Sequence, residues 1–303
     1  MDILEIYKRK IRSLKFPHFE PLGLQRSLDW YCIGFSALRD GKVNLIVALR
    51  NLLPGRFKGK SNGETLYNYV LWKISTILSE EKGESKLFGQ NFSPSKPDSV
   101  SSWYDTFLLI EQILLRDQYH ARSFIKKDSV IIDAGANIGL FSIFCSRLAP
   151  ESKIYSFEPT PSTFKVLKRN CEPYKNIIPF QNGLGDEEAT KNILESDCDG
   201  ANNIEDSGRI VDFNGAKSKV HIRTIDSYEF PKIDFIKMDV EGYERQVLKG
   251  AKETIKKYSP VISVSAYHKP DDLVEIPKIV KSIDQDYKYK VCYDMEMDLL
   301  FWK

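Results

Sequence analysis

The stretch Val130-Ile131-Ile132-Asp133-Ala134-Gly135-Ala136-Asn137-Ile138-Gly139 decides how the rest of the chain is read. A short apolar run ends in an acid and a glycine-bearing turn, and an amphipathic stretch over 138–148 follows. Strand, tight turn and helix in that order mark the first unit of a parallel α/β sheet. The alternation continues through candidate strands at 153–157, 177–181, 220–224, 235–238 and 261–266. Helical spacing over 161–170, 243–257 and 273–283 lies between or after them. A parallel sheet covered by helices on both faces is expected, and in such sheets ligands bind outside the carboxyl ends of the strands. The residues at those ends therefore carry the functional reading.

The first strand ends at Asp133, before Gly135, Asn137 and Gly139. Glycines permit a tight turn and close approach of a ligand to the backbone, and the helix start offers free N–H groups. A dinucleotide fold has such a turn too. However, a carboxylate at the strand tip would repel a pyrophosphate, whereas it could accept a hydrogen bond from an ammonium group. Asn137 also stands where the middle glycine of Gly-x-Gly-x-x-Gly would be. A ligand with an amino-acid moiety fits better than NAD, and a nicotinamide-dependent oxidoreductase ranks last.

The second strand ends in Phe157-Glu158-Pro159. An acid at this tip can accept both hydroxyls of a ribose, or it can complement the dipole of the following helix. Thr160 is the expected N-cap and Pro161 suits the first helical position. After the third strand, Gln181-Asn182-Gly183-Leu184-Gly185 either lets a flat ring lie on the backbone or forms an ordinary turn. The polar segment 187–218 reads as a loop or short hairpin beside the site, or as a spacer.

The next strong strand runs into Lys237-Met238-Asp239-Val240-Glu241-Gly242. Asp239 and Glu241 could orient a hydroxyl, position a cation or share a divalent metal; Glu241 and Glu244 could instead simply favour a helix start. Tyr267-His268-Lys269-Pro270 follows the last of these strands. A neutral imidazole at His268 is suited to taking a proton from a hydroxyl.

The composition suits a soluble globular protein: 303 residues, 42% hydrophobic, 28% charged, net charge +2. A disordered chain would be poorer in hydrophobics, and a protein dominated by phosphate contacts would usually be more basic. The five cysteines, at 32, 145, 171, 198 and 292, are widely spaced with no Cys-x-x-Cys pair. Neither a disulfide framework nor a zinc site is expected, and a cytoplasmic location is. Met1-Asp2-Ile3-Leu4-Glu5 has acids where a secretory signal would have a basic stretch. The longest apolar run, over 43–49, is too short to span a bilayer.

The charge is unevenly spread. Residues 1–60 carry 12 Lys/Arg against five acids, so the other residues carry 32 against 37. The basic front is either a solvated helical face or an attractor of phosphate, anionic membrane or acidic substrate. Apolar spacing through Leu66, Val70, Leu71, Ile74, Ile77 and Leu78 is helical. A Ser/Pro-rich loop over 90–102 places a domain boundary at 98/99, and a helix is expected over 103–116.

Together these residues resemble the FkbM family of class I S-adenosylmethionine-dependent methyltransferases. The resemblance rests on Ile132 to Gly139, on Phe157-Glu158-Pro159, on Ile233 to Gly242, on Leu248-Lys249-Gly250-Ala251 and on Tyr267 to Leu273. It implies a Rossmann-like, seven-stranded, mostly parallel sheet whose last strand is antiparallel, preceded by a helical N-terminal region at 1–98. The segments 289–293 and 299–302 would form the final hairpin. Asp133, Gly135, Asn137 and Gly139 would face the methionine part of S-adenosyl-L-methionine, Glu158 its ribose, and the turn at Asn182 its adenine. Asp239 would orient cofactor or substrate, beside Glu241. His268 is the expected base, although some relatives have an acid near the strand end where this chain has Ser265 and His268. A divalent metal is compatible with the two or three oxygen ligands but is not indicated, and no metal ligands are assigned.

The acceptor class implied is a hydroxyl of a saccharide, glycan precursor or other small metabolite, with nucleic acid not expected. Two alternatives stand beside it. One is an RNA or protein methyltransferase using the basic front to hold a polymer; the other is a non-catalytic binding module that has kept the fold. For residues 1–98, a lid, acceptor recognition and a homodimer contact are all open roles.

Overall fold

The computed structural model describes residues 85–195, 202–205, 216–293 and 296–303. The basic front and the helical stripe at 66–78 lie outside the described residues. The chain divides into two compact units, Met1–Phe107 and Leu108–Lys303. In the first, a two-stranded hairpin, β1 (Lys86–Leu87) and β2 (Gln90–Asn91), precedes an irregular stretch and most of helix α1 (Val100–Leu109), whose last two residues fall past the division. The indole of Trp103 donates to the Pro97 carbonyl at 2.8 Å, which ties the helix to the proline-rich stretch before it. The helix begins three residues before the expected start at 103. Its last turns, Ile110–Leu115, widen to π-helical spacing, with Arg116 N donating to Glu111 O at 2.9 Å.

The second unit is the expected alternation. After the short helix α2 (Ala121–Phe124) come β3 (Val130–Ala134), α3 (Leu140–Leu148), β4 (Lys153–Phe157), α4 (Pro161–Cys171) and β5 (Ile177–Phe180). Four minor strands follow: β6 (Gly183–Leu184), β7 (Ala189–Glu195), β8 (Asn203–Ile204) and β9 (Ala216–Arg223). The chain closes with β10 (Phe235–Met238), α5 (Glu244–Lys249), α6 (Lys252–Tyr258), β11 (Val261–Ser265), α7 (Asp272–Ile283), β12 (Lys288–Tyr293) and β13 (Met297–Trp302). The main sheet has seven strands in the order β12-β13-β11-β10-β3-β4-β5. Its parallel members are β11, β10, β3, β4 and β5, and the final strand β13 runs antiparallel to both β11 and β12. The expected closing hairpin is present.

Both faces of this sheet are covered, which is why β3 and β10 are buried along their whole length and read as continuous apolar runs. The two-residue alternation of a strand sorts the side chains. Ile132, Ala134, Ile236 and Met238 pack with Val247, Leu248, Ile255, Ile276 and Val280 from α5, α6 and α7. Residues 131, 133, 235 and 237 point to the other face, where Phe141 of α3 stacks on Phe235 at 6.2 Å. Each such fully buried apolar side chain contributes about 1.5–3 kcal/mol.

Two expectations are corrected by tertiary context. The strand expected at 220–224 does not join the main sheet. It belongs to β9 in a separate four-stranded sheet, order β6-β9-β7-β8. Val220 and Ile222 are buried while Lys219 and His221 are exposed, the alternation of a half-exposed antiparallel strand. Its hairpin with β7 is the structure within the polar segment 187–218. The single helix expected over 243–257 is broken into α5 and α6. A Cβ at Gly250 would lie 1.8 Å from the Gly185 carbonyl oxygen, so the chain passes too close there for any side chain. Asp226 restarts the helix by accepting from the backbone N–H groups of Glu253 and Thr254 at 2.9 and 2.8 Å. Thr160 and Pro161 take the N-cap and first-turn positions of α4 as expected, although the threonine side chain makes no capping bond.

Candidate active site

The carboxyl ends of β3, β4 and β10, with an edge of the small sheet, enclose a cavity of about 900 Å³ including its open mouth. Gly135, Asn137, Glu158, Asp239 and Glu241 line it, as do Tyr119, Gly183, Ile193, Ile204 and Lys237. Asp133, Gly139, Asn182 and His268 do not.

Asp133 is fully buried on the α3 face, opposite Lys237 in the strand register. Its Oδ1 lies 3.2 Å from Lys237 Nζ, and its Oδ2 accepts from Ser142 Oγ at 2.6 Å. The ammonium group that meets Asp133 is therefore the chain's own. Lys237 Nζ also donates to the carbonyls of Gly135 and Ala134, at 2.7 and 3.3 Å. The pair thus holds the turn after β3 from beneath.

That turn needs its glycine. Gly135 has φ +76°, and a Cβ there would lie 1.8 Å from the backbone oxygen of Asp239. The turn and the tip of β10 are consequently locked together. Asn137 is also left-handed, with φ +49°. Its backbone N–H donates to Glu158 Oε2 at 3.1 Å, while its own Oδ1 is buried with no hydrogen-bond partner among the described residues. Gly139 packs instead against Cys171 and Leu167 of α4.

Glu158 is 7% exposed. Its Oε1 accepts from Thr160 N at 3.0 Å and its Oε2 from Asn137 N, so both oxygens are fixed; the Thr160 side chain bonds the carboxylate as well, and the group, with about four lone-pair sites, keeps acceptor capacity. Burial pushes its carboxyl above the usual range, against the downward pull of those two N–H groups. Asn182 donates to the Tyr228 hydroxyl at 2.9 Å, beside the lining residue Gly183.

The far end of the cavity is acidic. Asp239 Oδ2 accepts from the Tyr119 hydroxyl at 2.7 Å. Burial and then the Asp239 charge raise that hydroxyl well above its ordinary range, so it stays a donor. His268 has no exposed side-chain surface; its Nδ1 lies 2.9 Å from Glu244 Oε1, and its Nε2 lies 3.5 Å from Glu241 Oε2 and 3.7 Å from Asp239 Oδ1. Glu244, 1% exposed, accepts from Val240 N and Gly242 N as well. Ser265 Oγ donates to Asp298 Oδ1 of the neighbouring strand at 3.1 Å. Burial, then Asp239, pushes Asp298 up to about 8 and raises Glu296 as well.

The sequence reading missed Tyr119, Glu296 and Asp298. Asp298 could have been found by pairing the last strand antiparallel to β11, which sets it opposite Ser265. Tyr119 carries no such signal, since 120 positions separate it from Asp239. Lys237 is tied to Asp133 through the strand register, a pairing that sequence spacing alone does not reveal.

This strand order, with five parallel strands and an antiparallel last strand, is the class I, Rossmann-like fold. The family model of the methyltransferase FkbM domain matches residues 133–291, and the chain belongs to that family. The hexuronic acid methyltransferase AglP of Haloferax volcanii is 29% identical over 215 residues, 70% of this chain and 85% of that protein. The 2-O-methyltransferase NoeI of Sinorhizobium fredii is 31% identical over 149 residues, 44% of this chain and 61% of that protein. Methyltransferase 1 of Beauveria bassiana is 33% identical over 145 residues, 41% of this chain and 58% of that one, so the match spans under two thirds of these last two relatives. A crystal structure of methyltransferase FkbM from Methylobacillus flagellatus KT superposes with a TM-score of 0.48 at 19% identity, covering 79% of this chain and 60% of that one. Among the described residues, no helix is long and apolar enough to cross a membrane.

Proposed function

We propose that this methyltransferase uses S-adenosyl-L-methionine and methylates a hydroxyl of a saccharide, glycan precursor or related small metabolite. The observation that carries the reading is Glu158: a carboxylate with both oxygens fixed and acceptor capacity left, lining a cavity beside Asn137, whose Oδ1 is buried with no hydrogen-bond partner among the described residues. A vicinal ribose diol matches the first, and an ammonium group matches the second. Bound there, the cofactor supplies a methyl group made electrophilic by its sulfonium sulfur. Asn137 takes the ammonium role expected of Asp133, which is committed to Lys237. Gly183 and Leu184, with Ile193 and Ile204 opposite, provide the apolar walls for a flat ring. The names of the hexuronic acid and 2-O-methyltransferase relatives support a sugar hydroxyl as acceptor.

The acceptor approaches the acidic end. Asp239 and Glu241 line the cavity and meet the hydroxyl first, while His268 faces them from behind. We therefore assign contact with the acceptor to the carboxylate pair and make His268 a positioning residue. Alignment of the oxygen supplies most of the rate in such a transfer, and the Tyr119 bond fixes the rotamer of Asp239.

Transfer of a labelled methyl group from S-adenosylmethionine to fractionated cell extract tests the reading. Label in the saccharide fraction, lost in Asp239→Asn, is expected. Label only in RNA or protein would overturn the acceptor class, and no label with intact cofactor binding would favour a binding module.

A further inference from the structure

We propose that β12 is a docking edge for a second copy of this chain, joining the two main sheets across a two-fold axis at Val291. The strand stands at one end of the sheet and, among the described residues, pairs only with β13. Alternate N–H and C=O groups along its outer side therefore point away from the sheet, ready to pair with another strand. Five of its six residues are exposed and Cys292 is half-buried. The strand at the opposite end, β5, carries Pro179, which removes a donor and blunts that edge. No proline interrupts β12.

Alternation sorts β12 into two rows. Tyr289 and Val291 lie opposite Phe301 and Leu299 in the register, with the rings of Tyr289 and Phe301 5.4 Å apart, and Tyr293 continues the row. Leu299 and Phe301 belong to the buried core layer under α7. The row carries that layer out to the sheet edge, where Tyr289, Val291 and Tyr293 are 44%, 53% and 78% exposed. Among the described residues only Leu115, Leu148 and Val274 are other large hydrophobics so exposed, so half of the group is gathered on one strand. Such a concentration marks an interaction surface. Lys288, Lys290 and Cys292 occupy the other face.

The charges choose the register, and the register makes the surface self-complementary. A two-fold axis normal to the sheet runs two such edges antiparallel and keeps both apolar rows on one face, and it must pass through a residue position. Two positions keep most of the strand paired. With the axis at Lys290, that ammonium group faces its own copy, and like charges directly opposite are destabilising. With the axis at Val291, the side chain meets the partner's Val291, Tyr289 meets the partner's Tyr293, and Lys290 meets the partner's Cys292. No like charges are then opposed, and aromatic pairs flank a central aliphatic one. The lysines thus reject the alternative register and leave one closed pairing. An edge-to-edge contact belongs to the class below about 1,200 Å² that forms weak complexes, so a dissociation constant on the order of 10 μM is expected.

Sedimentation equilibrium of the full chain from about 1 to 200 μM tests the surface. A monomer–dimer equilibrium is expected. Val291→Lys sets two ammonium groups at the axis and should raise the dissociation constant at least about tenfold, whereas Cys292→Glu, which sets an acid opposite each Lys290, should lower it about fivefold. The register is read by oxidation in a Cys292→Ser background. Val291→Cys should give a disulfide joining the two introduced cysteines in peptide mapping, and Lys290→Cys, set diagonally beyond bridging distance, should not. That crosslink supports the edge even if the lysine variant fails to fold. A chain that stays monomeric throughout the range overturns the proposal. So does a dimer whose affinity Val291→Lys leaves unchanged, or one crosslinked through Lys290→Cys instead of Val291→Cys. The strand lines no part of the cavity, so the result stands apart from the methyl-transfer reading.

Discussion

Replacing Lys237 by Met removes the cation from beneath the turn while keeping the length of the side chain. Asp133, with no exposed surface, is then left with Ser142 as its hydrogen-bond donor, and the carbonyls of Ala134 and Gly135 lose theirs. Breaking a buried pair by removing one partner costs about 3–5 kcal/mol, because a charge remains buried without compensation. The surviving 2.6 Å bond from Ser142 puts the expected loss near the lower end, about 3 kcal/mol. With a urea slope of about 2–3 kcal/mol/M, the unfolding midpoint followed by far-ultraviolet circular dichroism should fall by about 1–1.5 M. Adding Asp133→Asn to Lys237→Met removes the stranded charge and should recover most of the loss, a coupling of about 2 kcal/mol. A single variant losing less than about 1 kcal/mol, or a double variant no more stable than the single, would refute the claim that the pair supports the turn.

Other outcomes follow from the same geometry. Gly135→Ala combines a left-handed backbone with a Cβ driven into the Asp239 carbonyl; we expect a loss of about 3–5 kcal/mol, read as a melting temperature lower by roughly 10 °C. Tyr119→Phe leaves Asp239 without its 2.7 Å donor; kcat/KM should fall about 10- to 100-fold while cofactor affinity is kept, a split that steady-state kinetics resolves. Asp298 is neutral in the folded chain up to about pH 8 but ionised in the unfolded chain above about pH 4. The folded state then binds the extra proton, so its contribution to stability is full below pH 4 and is lost as pH rises toward 8. Asp298→Asn should flatten that decline; an unchanged slope in denaturant melts between pH 5 and 8 would contradict the assignment.

The parts of this fold that were legible in the sequence are those where local pattern and tertiary role agree. The run Val130 to Ala134 is apolar because it is buried on both faces, and Thr160-Pro161 starts a helix wherever it stands. Glu158 announced itself by preceding the cap. What stayed hidden depends on approach between distant segments. The break at Gly250 exists because Gly185 passes within contact of it. Asp133 resembles a ligand-binding tip until Lys237 is set beside it by strand register. His268 was recognisable as a member of the acidic corner, but its burial behind Asp239 and Glu241 has no signature in one dimension. Tyr119 and Asp298 complete that corner from segments before the first parallel strand and after the last.

The central claim, that the cavity at the tips of β3, β4 and β10 holds S-adenosylmethionine through Glu158, is most directly tested by isothermal titration calorimetry of the cofactor. The unmodified chain should bind one equivalent, and Glu158→Gln should weaken it about 30-fold, the equivalent of about 2 kcal/mol for hydrogen bonds to a charged group. No binding by the unmodified chain, or equal affinity in the variant, would contradict the account.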